Sequence, residues 1–264
     1  MNVLHYVTAA LAILIPFAAY LKRSLKLSAS ILALVMVVVA MTVGEGYALF
    51  LLLAFVLISA IDRFCKKRSE YVNSNYTQKT GARDAVQVLA NGGIAMLSVL
   101  VWHAAGNRTF LFCFVASLIE SFGDSAASAV GITFGRQTYN ICGFRKMKAG
   151  LSGGVSVEGT LACAISCIAM ALIACVLGMG ISIREALLTA LSAFLGCIAD
   201  SVLGSVVQRK NKCACCGVIT EKKAHCNRKT EYASGVKWVN NDVVNCACNC
   251  ISAITIFLLV GIGR

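Results

Sequence analysis

Three acids stand where acids are costly. Asp124 and Asp200 lie inside long apolar runs and Asp242 opens another, in a chain with only 12 Asp and Glu among 264 residues. An unpaired carboxylate in the hydrocarbon core of a bilayer costs at least ~2.5 kcal/mol, so each needs a cation or a polar cavity. Glu120 precedes Asp124 by one helical turn, with Ser121, Ser125 and Ser128 nearby. A basic stretch follows with Arg136, Arg145, Lys146 and Lys148, and then a glycine- and serine-rich turn, Gly150 to Gly154. Carboxylates, cations and glycines whose backbone N–H groups can turn toward an anion are the parts of a magnesium–phosphate site. On this reading Asp124 and Asp200, with Asp242, hold Mg²⁺. Arg145, Lys146 and Lys148 meet an entering triphosphate, and Gly153, Gly154, Ser152 and Ser156 supply backbone and hydroxyl donors. The turn is not a Walker motif, because the Gly-x-x-x-x-Gly-Lys-Ser/Thr order is absent.

Polar residues recur at helical spacing in other apolar runs. Asp84, Gln87 and Asn91 share one face, directly after Arg83. Asp200, Ser201, Ser205 and Gln208 form a second stripe, and Asn241, Asn245 and Asn249 a third beside Asp242. One such stripe reads as hydrogen-bonding glue between membrane helices. Several, each on the same half of its run, point to one shared polar cavity. The match of GDSAASAVG (123–131) with ADSVLGSVV (199–207) suggests a weak internal repeat.

The elements that must position these groups are membrane helices. The chain is 58% hydrophobic and 14% charged, with a single proline, Pro16. Runs at about 3–20, 27–43, 46–61, 85–105, 109–131, 155–179, 184–207 and 242–262 predict an all-α polytopic membrane protein of about eight spans, the third being short. The first run, with no basic residue before it and no clear cleavage site, reads as a retained helix and not a signal peptide. Residues 22–26, 62–84, 132–154 and 208–241 carry three, six, four and eight Lys/Arg, leaving Arg108, Arg184 and Arg264 for the other side. This positive-inside split predicts cytosolic basic loops and both termini outside. It also accounts for the net charge of +12 without nucleic acid as a partner. Residues 1–62 read as scaffold helices and 63–264 as the catalytic membrane domain.

Fourteen cysteines do not read as a disulfide framework, since eight of them lie in apolar runs where Cys acts as a small hydrophobe. The last loop holds Cys213 and Cys216 as a CxxC knuckle, followed by adjacent His225 and Cys226. Structural Zn²⁺, free reduced thiols and a disulfide all remain open for this set, the adjacency of His225 and Cys226 being poor chelate geometry. With three histidines and no Ser–His–Asp order, histidine base catalysis is not expected.

The set RDAVQVLANGG (83–93), GDSAASAVG (123–131), SGGVSVEGT (152–160), ADSVLGSVVQ (199–208), HC (225–226) and NNDVVN (240–245) resembles the family of transmembrane protein 19 and plant phytyl-phosphate kinase. The first 80 residues share little with it beyond hydropathy. The order Gly-Asp-Ser, basic loop, Glu-Gly-Thr is also similar to CTP-using membrane lipid enzymes such as dolichol kinase and CDP-diacylglycerol synthase. The resemblance implies a kinase that transfers a phosphoryl group from CTP, or another nucleoside triphosphate, to a prenyl monophosphate such as phytyl or geranylgeranyl phosphate. It carries over Asp124, Lys146 or Lys148, Ser156, Glu158, Asp200, Asn241, Asp242 and Asn245 as the matching polar positions. The candidate catalytic residues are Asp124, Asp200, Lys146 and Glu158. The candidate substrate- and nucleotide-binding residues are Arg83, Asp84, Gln87, Asn91, Ser125, Arg145, Lys148, Ser152, Gly153, Gly154, Ser156, Thr160, Gln208, Asn241 and Asn245. Leu151 departs from the small polar residue expected before Ser-Gly-Gly, and the CxxC loop is not expected from the plant kinase. The rival from another class is a transporter of an anionic or lipid-linked substrate, since polar residues near the midplane and a repeat suit transport too. A non-catalytic assembly protein is a third reading. Whether the protein pairs as a homodimer is left open.

Overall fold

In a computed structural model, residues 3–65, 76 and 81–261 are described. The expected loop cations Lys66, Lys67, Arg68 and Lys79 fall outside them. Among the described residues eight helices carry the fold: α1 Val3–Leu21, α2 Leu27–Met41, α3 Glu45–Phe64, α4 Ala85–Ala105, α5 Thr109–Phe134, α6 Val157–Val176, α7 Ile183–Val206 and α8 Asn241–Gly261. All except α2 are long and apolar enough to cross a bilayer. The expected short third span is a full 20 residues, whereas α2, read as a span over 27–43, has only 15. At 1.5 Å per residue α2 reaches about 22 Å, less than a ~30 Å hydrocarbon core. Apolar composition alone could not separate the two, because helix ends depend on turns such as that at Gly44, whose φ is 157°.

Burial ranks the helices. In its most apolar 18-residue window α5 is 78% buried and α1 only 17%. α5 is the central post, packed against α3, α4, α6, α7 and α8, and every residue from Thr109 to Gly123 is buried except Phe110. Small residues allow this. A Cβ on Gly196 of α7 would stand 2.7 Å from Glu120 Cγ on α5 and 3.0 Å from Ser252 Cβ on α8, so those three helices meet at a point only glycine admits. The apolar side chains left exposed, such as Ile165, Leu172, Leu187, Ile254 and Leu258, lie on outward faces and suit contact with lipid.

The connections sort to two ends of the bundle. At one, Thr42 Oγ1 meets His103 Nε2 at 2.7 Å, the Tyr47 hydroxyl donates to the Met179 carbonyl at 3.1 Å, and the Arg108 guanidinium donates to the Gly180 carbonyl. At the other, the α1–α2 turn pairs with the extended residues just before α4: Arg83 N–H donates to Ser24 O at 3.0 Å and Lys26 N–H to Arg83 O at 2.9 Å. The same end gathers the two longest described loops, which fold into small antiparallel sheets. In the first, β1 (Thr138–Asn140) pairs with β2 (Lys146–Met147) and β3 (Gly154–Val155). In the second, β4 (Lys210–Lys212) pairs with β5 (Ile219–Thr220) and β8 (Glu231–Ser234), and β6 (Ala224–His225) forms a hairpin with β7 (Arg228–Lys229).

Candidate functional site

The ends of α4, α5, α7 and α8 nearest the sheets surround a cavity of about 970 Å³. α5 contributes Asp124 and Ser125, α7 Asp200 and Ser201, α8 Asn241, Asp242 and Asn245, and α4 Gln87 and Asn91. The two halves of the weak repeat thus place an aspartate each in the same space. Glu120 lies one turn deeper, fully buried, and its carboxylate clusters within 4.8 Å of an Asp200 oxygen and Cys248 Sγ.

Hydrogen bonds fix the polar wall from the α4 and α8 side. The Asn91 amide donates to Gln87 O at 3.0 Å, and its Oδ1 accepts from the Asn245 amide at 2.9 Å. Asn249 bridges to Ser121 Oγ at 3.0 Å beneath them. Among the described residues, Asn245 Oδ1 and Asp200 Oδ2 are then buried acceptors with no hydrogen-bond partner. Such oxygens are rare in native structures because each costs about 1–3 kcal/mol. A hard cation takes oxygen ligands of this kind, so the donor set fits Mg²⁺.

The glycine turn forms the lid of the cavity. Gly153 has φ of +86°, and a Cβ there would stand 2.5 Å from Ser205 Cα, so the turn lies directly on the end of α7. Asn140 ties the same loop to α7, its amide donating to Ser205 Oγ at 2.8 Å. Ser156 caps α6 by accepting the Gly159 N–H at 3.1 Å, and the α6 N-terminus, with Ser156, Gly159 and Thr160, opens on the cavity. Helix N-termini favour anions, so this wall suits phosphate.

The expected cations are divided by the fold. Arg145 and Lys146 line a separate shallow depression with Asn140, Cys142, Gly143 and Met147, and Lys148, exposed, lines neither. The β1–β2 hairpin turns them to solvent, its tip held by Cys142 and Gly143 N–H groups donating to Asn140 Oδ1 at 2.9 and 3.1 Å. Among the described residues, the cations that line the cavity are Lys22, Arg23, Arg63 and Arg83, the last paired with Asp62. Asp84 is the N-cap of α4, in a reciprocal capping box with Gln87 at 3.1 Å each way. Glu158 lies outside the cavity lining and accepts the Arg136 N–H at 3.2 Å. Gln208 is buried at the end of α7 and is likewise outside the lining.

Sequence reasoning missed Glu221. It follows β5, is buried, accepts the Ser152 hydroxyl and lines the cavity. Burial pushes its carboxyl above the ordinary range, and the same burial holds the neighbouring Lys210 amine below its own. The signal was available: Glu221 and Glu231 are the only acids in a stretch, 208–240, with eight Lys/Arg. Lys22 and Arg23 were counted as topology signals alone, about 100 positions from Asp124 in sequence.

The last loop brings Cys213, Cys216, His225 and Cys226 together, with one ligand atom from each within 4.8 Å of the others. The backbone N–H of Cys216 pulls the Cys213 thiol down to about 6, whereas the neighbouring Cys216 thiol pushes Cys226 up to about 12. The objection to adjacent His and Cys is removed by the backbone. Cys226 and Asn227 have φ of 51° and 57°, a left-handed two-residue hairpin turn that brings Cys226 Sγ within 3.2 Å of His225 Nδ1.

The chain is similar to Protein PGR of Arabidopsis thaliana, 26% identical over 256 residues that cover 88% of each chain. It is also similar to Protein VTE6, chloroplastic, of the same plant, 30% identical over 206 residues, which are 76% of this chain and 55% of that one. An uncharacterized membrane protein of Synechocystis, sll0875, is 30% identical over 176 residues, 63% of this chain and 64% of that one. No solved structure matches. The match of the family model for integral membrane protein DUF92 to residues 10–253, nearly the whole chain, shows that the protein belongs to that family.

Proposed function

We propose that the protein is a membrane-embedded prenyl-phosphate kinase that uses CTP or another nucleoside triphosphate. The observation that carries this reading is the convergence of Asp124, Asp200 and Asp242, from three helices, in one cavity beneath the Gly150–Gly154 turn. The similarity to VTE6 and the resemblance of the motifs to phytyl-phosphate kinase support it.

Phosphoryl transfer asks the protein chiefly for positioning and charge neutralisation. Asp124, Asp200 and Asp242, with Asn245 Oδ1, would hold Mg²⁺, which when bound offsets phosphate charge. The triphosphate enters past Lys22, Arg23 and Arg63, and its oxygens meet the N–H groups of the glycine turn and the start of α6. The acceptor phosphate is already anionic, so no strong general base is required. Its prenyl chain lies between helices toward the bilayer. A transport path would need polar lining at both ends of the bundle. None of the described lining residues comes from the end marked by Thr42, Tyr47, Arg108 and Gly180. Lipids extracted from a strain deleted for the gene are expected to accumulate a prenyl monophosphate and to lose its diphosphate. An unchanged prenyl-phosphate pool would count against the reading.

The cavity end faces the cytosol, where nucleotide is, and both termini lie outside. This orientation rests on the basic loops sharing one end of the bundle. Exposed Cys142 and Cys215 report on it. An impermeant thiol reagent should leave both unmodified in intact cells and label Cys142 after permeabilisation. Labelling of Cys142 from outside would reverse the orientation.

A further inference from the structure

We propose that Cys213, Cys216, His225 and Cys226 bind a structural Zn²⁺ that fastens the β4–β8 loop over the cavity as a fixed cap. Two hairpins build the site. In the first, Cys213 N–H donates to Val218 O and Gly217 N–H to Cys213 O, both at 2.9 Å, and Gly217 takes φ of +70°. That tight turn between β4 and β5 presents Cys213 and Cys216 together. In the second, the left-handed turn at Cys226 and Asn227 between β6 and β7 presents His225 and Cys226. The two turns face each other across a gap of metal size.

The three edges among Cys216, His225 and Cys226 lie near those of one face of a tetrahedron, and Cys213 Sγ is within 4.8 Å of all three. Bonds of about 2.3 Å to sulfur and 2.0–2.1 Å to nitrogen, meeting at tetrahedral angles, set S···S edges of about 3.8 Å and S···N edges of about 3.5 Å. Cys216 Sγ stands 3.8 Å from Cys226 Sγ and 3.5 Å from His225 Nδ1, and the Cys226 Sγ to His225 Nδ1 edge is 3.2 Å. Three thiols cannot all be satisfied by a disulfide, whereas one metal uses all four groups. Four protein ligands leave no open position, which marks a structural and not a catalytic zinc. Three thiolates and one Zn²⁺ leave a charge of −1, and Lys212, Lys222, Lys223, Arg228 and Lys229 lie in the same loop. The reason for a clamp lies four and five residues before His225 and Cys226. Glu221 sits between β5 and β6, where its N–H donates to Tyr76 O at 2.7 Å and its carboxylate holds Ser152 of the glycine turn. The loop is too small to bury a core of its own, and loops of that kind are commonly stapled by metal.

The site is independent of the kinase reading, and its test reads metal and not activity. Full-length protein is purified in detergent under reducing conditions without chelator, then incubated with stoichiometric ZnCl₂ and desalted. Elemental analysis should give about one zinc per chain, because a structural site binds tightly. Blocking thiols with a mercurial should release that zinc as three thiols react. Cys142→Ser should retain it, and the double variant Cys216→Ser/Cys226→Ser should hold less than about one-tenth equivalent. If the double variant does not accumulate, the mercurial titration of the unmodified protein decides alone. Less than one-tenth equivalent in the unmodified protein, or release that does not follow thiol blocking, would overturn the proposal.

Discussion

Asp124→Asn and Asp200→Asn are each expected to lower turnover at least about 100-fold while the protein still inserts and purifies as a folded species. The size follows from what the carboxylates face. Asp200 Oδ2 is buried without a hydrogen-bond partner among the described residues, and Asp124 reaches the same cavity from the neighbouring helix. Replacing one oxygen by an amide keeps the shape of the side chain and removes one negative charge. A charge that meets the reaction centre in a site shielded from water is commonly worth two to three orders of magnitude in rate. Folding should respond in the opposite direction or not at all. A buried carboxylate without a bound cation is a cost, and an amide relieves part of it. Loss of activity with retained or raised thermal stability is therefore the expected pair of results. It separates a functional acid from one that merely holds helices together. Near-normal turnover in either variant would remove that residue from the essential ligands. Asn245→Ala should weaken activity less, since Asn245 offers a neutral oxygen and its loss removes no charge.

The helices and their acids were legible in the sequence because each depends on local patterns. Seven of the eight expected spans correspond to helices of spanning length, and Asp124, Asp200, Asn241, Asp242 and Asn245 line one cavity as their helical spacing suggested. The cations were less legible because charge in a loop carries no address. Lys146 and Arg145 follow Asp124 closely in sequence, yet the Asn140-capped hairpin turns them away. Lys22 and Arg23 are remote in sequence, yet the pairing of Ser24 with Arg83 brings their turn to the cavity rim. Glu221 was missed for the same reason: only the sheet of β4, β5 and β8 decides which way that loop folds back. The His225–Cys226 pair was legible as residue types but not as geometry, since two adjacent side chains converge only through the left-handed turn at Cys226 and Asn227.

Phosphoryl transfer into the lipid phase is the measurement that bears most directly on the central claim. Detergent-purified protein with Mg²⁺ is given phytyl or geranylgeranyl monophosphate and, in separate reactions, CTP, UTP, ATP or GTP labelled in the γ-phosphate. The acids sit beneath a turn rich in N–H donors, at the end of the bundle where the basic loops gather, so one site can hold metal, triphosphate and acceptor phosphate together. CTP is included because the family resemblance points to it. The account predicts label in a prenyl diphosphate with at least one nucleotide, dependent on Mg²⁺ and absent from Asp124→Asn protein. No transfer from any of the four nucleotides to either acceptor, by protein shown to be folded, would contradict it.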